Sequence, residues 1–132
     1  MEVVKGLNEG LQFKYKFMTT SEHSAKHVGT GNVEVLSTPS MIKFMEEACR
    51  RTVDEKLPEG YVSVGTLVNV RHVSAAPVND ELEVKGILLS IDGRRLTFWV
   101  EALWKGRKIG YGIHERVIVK KSEFIERLRK QM

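Results

Sequence analysis

Between Thr38 and Pro58 the apolar side chains recur with the 3.6-residue period of a helix. Met41, Ile42, Phe44, Met45, Ala48, Cys49 and Val53 form one stripe over about four turns. Thr38-Pro39 marks its start: threonine is a good N-cap, and proline is tolerated at the first helical position because its missing N–H would be unpaired there. Pro58 and Gly60 mark its end. Elsewhere the period is two. Leu11 to Thr19 alternates loosely and predicts a first strand. His23 to Leu36 contains Gly29 and Gly31 and no clear period, which predicts a loop with a short strand near Val33 to Leu36. Beyond the helix, four strands are expected at Tyr61 to Ser74, Glu81 to Ile91, Leu96 to Trp104 and Ile109 to Val119. They are separated by turns at Pro77 to Asp80, Asp92-Gly93 and Lys105-Gly106. Ser122 to Lys130 predicts a short helix with Phe124, Ile125 and Leu128 as its apolar side.

The order is therefore strand, long helix, then four strands in meander. One helix cannot cover both faces of such a sheet, and the simplest packing wraps the sheet around the helix. That is an α+β fold of the hot-dog type, an antiparallel sheet around one long central helix. Residues 1–132 are expected to form one domain. The remaining surface or sheet edge would pair with a second copy, which predicts a homodimer, with a tetramer as the larger alternative.

Composition narrows the partners. The net charge is +4, a balance that suits phosphate-bearing molecules, including nucleic acid, nucleotides and coenzyme A. The basic residues are scattered among acids, though. Their densest run, Lys120 to Lys130, is interleaved with Glu123 and Glu126. A solvated surface is expected, and nucleic-acid binding is not. The single cysteine, Cys49, cannot form an internal disulfide. Met1 to Gly10 contains no apolar segment of the export type, and no apolar run approaches the roughly 18 residues of a membrane span. The expectation is a cytoplasmic protein without membrane association.

Candidate chemistry sits on the helix and two strands. Glu47 lies four residues from both Lys43 and Arg51, on the charged side, and is expected to be a surface acid in ion pairs. Glu46 lies on the border of the apolar stripe, where a carboxylate loses water. Position alone leaves open whether it is an edge acid reaching solvent or a functional group. His72 is in phase with Val62, Val64, Val68 and Val70, so its ring is expected on an apolar side. A carboxylate and an imidazole would then share a partly buried pocket. In the last strand, Gly110 and Gly112 leave space beside His114 and Arg116. Glu115 points the other way, and a structural ion pair across the sheet is its expected role. His23 and His27 lack a third ligand, so no metal is expected. Walker-type, GxSxG and CxxC patterns are absent.

Four segments together resemble the fluoroacetyl-CoA thioesterase family. They are Ser37 to Cys49, Val64 to His72 with Ala75-Ala76-Pro77, Ile91 to Leu96, and Gly112 to Arg116. The likeness runs from about residue 10 to 129 in one order. It implies a hot-dog homodimer that hydrolyses acyl-CoA with no metal or bound cofactor, the CoA thioester being substrate. It also implies a catalytic Thr38, Glu46 and His72, with Gly65 beside the thioester and Arg116 near the site, and it places that site between subunits. Fluoroacetyl-specific members carry phenylalanines before the helix as a lid over the acyl group. Val28 to Ser37 contains no aromatic residue, so a more open entrance and another small or medium acyl group are expected. In the implied mechanism Glu46 attacks or deprotonates water, while His72 orients the reactants and can protonate the thiolate. Thr38 bonds Glu46 or the water, or serves only as a cap, and the Gly65 N–H helps hold the oxyanion. Arg116 would anchor Glu115 or bind the CoA side. The rival readings are a hot-dog hydratase or dehydratase, whose close Asp and His on the segment entering the helix are not found in that arrangement before Met41, and a non-catalytic acyl-CoA-binding module.

Overall fold

The computed structural model describes residues 4–132. Strand β1 (Gln12–Met18) is followed by a 3-10 turn at Ser21–His23 and the short helix α1 (Ala25–Val28). The long helix α2 (Thr38–Asp54) comes next, then β2 (Tyr61–His72), β3 (Glu81–Asp92), β4 (Arg95–Trp104), β5 (Arg107–Lys120) and helix α3 (Lys121–Lys130). The expected loop from His23 to Leu36 thus carries a helical turn. Its expected strand is reduced to two isolated bridges, Ser24 to Leu36 and Val35 to Pro77.

The sheet is antiparallel with the order β1-β3-β4-β5-β2. Only β3, β4 and β5 form a meander, so the expected four-strand meander is corrected. β2 does not pair with β3; it crosses to the far edge and pairs with β5 along its whole length. Hairpin turns cannot encode this, because Tyr61–His72 and Glu81–Asp92 are joined by a longer connection that permits either neighbour.

The apolar stripe of α2 is the core. Met41, Phe44, Met45, Ala48, Cys49 and Val53 are all buried against the concave face of the sheet. From the sheet they meet Leu82, Val84, Leu88, Leu96, Phe98, Val100 and Ile109. Contact is tightest at Gly110, where a Cβ would lie 2.4 Å from the Met41 sulfur. The glycine there does not leave a void: it lets helix and sheet close on each other. Met41 and Met45 are essentially inaccessible, and truncating either to alanine would cost about 2–5 kcal/mol.

The helix start also differs from expectation. Ser37, not Thr38, is the N-cap: its hydroxyl accepts from the Ser40 N–H at 3.1 Å and donates to the Ser40 hydroxyl at 2.7 Å. Thr38 is the first helical residue and Pro39 the second. A serine immediately before the threonine satisfies the open N–H equally well, and it leaves the Thr38 hydroxyl free.

Candidate active site

The polar side chains of the site sit where α2 faces β2 and the end of β5. β2 is irregular there. Gly65 pairs with Arg116 and Leu67 pairs with Glu115, so Thr66 is an extra residue, a β-bulge. One extra residue inverts the alternation. Before the bulge, Ser63 and Gly65 share the helix-facing side with Ile118 and Arg116. After it, Val68, Val70 and His72 share that side with His114, Gly112 and Gly110. Val62 and Val64 therefore lie on the outer face, and the single apolar row expected with His72 is two rows on opposite faces. The bulge is held from both sides. The His114 Nδ1–H donates to the Leu67 carbonyl at 2.8 Å, and the Thr66 hydroxyl donates to Glu115 at 2.6 Å.

Two groups of side chains result. At the start of α2 the Thr38 hydroxyl lies 2.8 Å from His72 Nδ1. His72 Nε2 is shielded from solvent and has no hydrogen-bond partner among the described residues. Burial lowers the His72 pKa below the ordinary histidine value, so the ring is neutral at neutral pH. The pair lines a cleft of about 380 Å³ with Ala25, Val35 and Val73.

Two helical turns further on, Glu46 holds the second group. Its side chain is 41% exposed, a half-open carboxylate on the border of the apolar stripe. Its Oε2 lies 3.7 Å from Arg116 Nη1. A Cβ placed on Gly65 would come within 2.8 Å of that same oxygen. A cleft of about 360 Å³ opens over the carboxylate, bordered by Ile42, Lys43, Arg50 and Arg116. Arg116 does not anchor Glu115 as one expected alternative had it. Glu115 lies on the outer face and pairs with Arg95 at 3.6 Å, an ion pair that does bridge β4 and β5.

Glu46 and His72 do not share a pocket within one chain. Thr38 and Glu46 are eight residues apart on α2, roughly 12 Å along its axis. They line separate clefts, with no bond from Glu46 to Thr38 or His72 among the described residues. Glu47 pairs with Arg51 on the solvent side. Cys49 is buried with its thiol pKa pushed up by burial, which rules out a ready thiolate nucleophile. His23 is occupied as a cap, accepting the Thr20 N–H at 2.8 Å and packing on Phe44. Among the described residues no three His, Cys, Asp or Glu side chains converge, and no helix is long and apolar enough to cross a membrane.

The residues that pattern reasoning missed are Ser63 and Asp54. A serine between two valines of a strand signals an outward position, and an acid near a helix end signals solvent. Ser63 instead faces Arg116, because the bulge turns this half of β2 over, and Asp54 at the end of α2 accepts both the Ser63 N–H and its hydroxyl.

Comparison with known proteins identifies the family. The family model described as FlK, fluoroacetyl-CoA-specific thioesterase, matches residues 19–122. The chain belongs to the FlK family. It is a thioester hydrolase with the hot-dog fold. The fluoroacetyl-CoA thioesterase of Streptantibioticus cattleyicolor is 30% identical, over 96% of this chain and 95% of that protein. A structure of FlK superimposes with a TM-score of 0.89 at 30% identity, covering 97% of this chain and 99% of that one. A variant of FlK has been solved in complex with acetyl-CoA. A thioesterase-superfamily protein of Thermus thermophilus gives a TM-score of 0.87 at 29% identity, over 96% of this chain and 94% of that one. The FlK family match spans α2, the bulged β2 and β5, the three elements that carry both clefts.

Proposed function

We propose that this FlK-family member hydrolyses small or medium acyl-CoA thioesters to the free acid and CoA, as a cytoplasmic homodimer, using Thr38, Glu46 and His72 and no cofactor. The carrying observation is the Glu46 carboxylate, held by Arg116 directly over Gly65. Glycine at that position keeps the backbone approachable, so a thioester carbonyl can reach the carboxylate from the strand side. Glu46 attacks the carbonyl carbon, directly or through a water it deprotonates. The Gly65 N–H stabilises the oxyanion, and the CoA thiolate leaves with a proton. In the water route the proton that Glu46 removes passes to the neutral His72 and on to the leaving sulfur; in the direct route water then cleaves the acyl–Glu46 anhydride, one of its protons going through His72 to the thiolate and the other leaving with the acid. Thr38 fixes the ring through its Nδ1.

The two clefts are separate in one chain, and β2 is an uncovered edge with Leu67 and Val68 45% and 40% exposed. Antiparallel pairing of two β2 edges supplies each His72 with Glu46 of the second copy, and it gives the orphan Nε2 a use. The segment from Val28 to Ser37 offers no aromatic lid, which favours an unfluorinated acyl group such as acetyl over fluoroacetyl.

Thiol release is the test, measured over fluoroacetyl-CoA, acetyl-CoA and medium-chain acyl-CoAs. Wild type is expected to turn over acetyl or longer esters, and Glu46→Gln is expected to lose about 10²–10⁴-fold. A folded Glu46→Gln protein with near-wild-type turnover would refute the assignment, as would binding of every ester without thiol release.

A further inference from the structure

We propose that Asp54, Ser63 and His114 are positioning residues, forming a buried polar relay that clamps the Arg116 guanidinium and through it aims Glu46 at the thioester. The proposal rests on Glu46 being the reacting carboxylate. Its own ground is the way each donor and acceptor in the relay is forced.

Arg116 is 5% exposed and can only donate. Its Nε–H donates to the Ser63 hydroxyl at 2.8 Å, and its Nη2 to the Ser63 carbonyl at 3.0 Å. The Ser63 hydroxyl has one proton, which goes to Asp54 Oδ1 at 2.7 Å; the Ser63 N–H donates to that same oxygen at 3.0 Å. Arg116 Nη1 meets His114 Nε2 at 3.1 Å, so that nitrogen accepts. The His114 Nδ1 faces the Leu67 carbonyl and therefore carries the ring proton. His114 is neutral, in one tautomer, and 1% exposed. No rotamer of serine, histidine or arginine in this set can change without leaving a buried polar atom unpaired.

What remains of the guanidinium points at Glu46. Nη1 is the group nearest the carboxylate, and it is the same nitrogen that His114 holds. Burial works against the Arg116 charge, and the fields of Asp54 and then Glu46 support it. Asp54 and Glu46 are on one helix, at the far and middle turns, with the guanidinium between them. The charge is thus fixed from the sheet and the far end of α2, and Glu46, itself half exposed, is the movable member that settles against it. A reacting carboxylate needs that restraint. Catalytic groups displaced by about 1 Å lose on the order of 10²-fold in rate.

The experiment compares Ser63→Ala, Ser63→Thr and Asp54→Asn in the full-length protein, with Glu46→Gln alongside. Steady-state kinetics with acetyl-CoA is paired with the NMR signal of the Arg116 Nε–H, which a clamped guanidinium protects from solvent exchange. For Ser63→Ala we expect kcat to fall about tenfold, KM to stay within about twofold and the protected signal to vanish; Ser63→Thr, which keeps the hydroxyl, recovers most of all three. Should Ser63→Ala not fold, Asp54→Asn decides: it leaves the acceptor oxygen but removes the charge, and kcat falls about threefold. Wild-type kcat in folded Ser63→Ala or Asp54→Asn, a change confined to KM, or no recovery in Ser63→Thr overturns the relay. If Glu46→Gln is inactive while Ser63→Ala turns over normally, only the relay falls. If Glu46→Gln stays active, the functional assignment falls with it.

Discussion

The two polar groups along α2 are built in opposite ways. Around Glu46 the supporting groups are complete inside one chain: Arg116, His114, Ser63 and Asp54 each have their partners, and only the carboxylate faces open space. At Thr38 and His72 the support is thinner: the ring meets the Thr38 hydroxyl and the Ser74 backbone, and its shielded Nε2 has no partner among the described residues. That pair stands beside a sheet edge whose side chains are exposed. Buried polar atoms are rarely left unpaired in a native assembly. The contrast therefore separates a half-site preorganised by its own subunit from one that is finished by something outside it. The proposed dimer through β2 would join the two.

Mixing subunits tests that contrast most severely. Glu46→Gln and His72→Ala are each expected to be nearly inactive alone. Co-refolded in equal amounts they should recover about a quarter of wild-type turnover, because half of the dimers carry one site with both groups intact. No recovery in dimers shown by mass analysis to have exchanged would place both groups in one chain's site and remove the contrast.

Gly65→Ala sharpens it from the Glu46 side. The new methyl would press on the carboxylate tip at 2.8 Å, a flexible end that can yield. Turnover should fall about tenfold while stability changes by less than about 1 kcal/mol, read from kcat and a thermal melt. Equal turnover would mean that nothing needs to approach this strand.

Acid should be felt through the buried histidines. Burial and then the nearby Arg116 charge lower the His114 pKa; burial also lowers that of His72. The unfolded chain, with ordinary histidines titrating near about 6.5, takes up protons first as the pH falls. Stability is therefore flat above that pH and declines below it, down to the folded-state values. The melting temperature should drop as the pH falls below about 6.5, and the slope should be shallower in His114→Gln. An unchanged slope in that variant would show that His114 is not neutral in the fold. The smallest effect is expected at Glu47. Its pair with Arg51 is on the solvent side, so Glu47→Gln should alter stability by no more than about 0.5 kcal/mol and leave thiol release unchanged.

Much of this was legible in the residues themselves. The period of Met41 to Val53, the alternation of the strands and the turn at Asp92-Gly93 are local signals, and the elements they predict are present. Glu46 at the stripe border and Glu47 outside it follow from the same helical arithmetic. Other features depended on choices that local pattern does not make. Ser37 and Thr38 are both competent caps, and which one bonds Ser40 decides whether the Thr38 hydroxyl is available to His72.

The sequence by itself determined that one amphipathic helix and an antiparallel sheet would bury each other, because hydrophobic periodicity specifies which face of each element leaves water. Tertiary structure alone decided that β2 lies beside β5 and that Thr66 bulges. Strand pairing and register are set by contacts between residues some fifty positions apart, and a one-residue shift sends every following side chain to the other face. That shift puts Ser63 and Gly65 with Arg116, and His72 with Thr38, and so creates the candidate site.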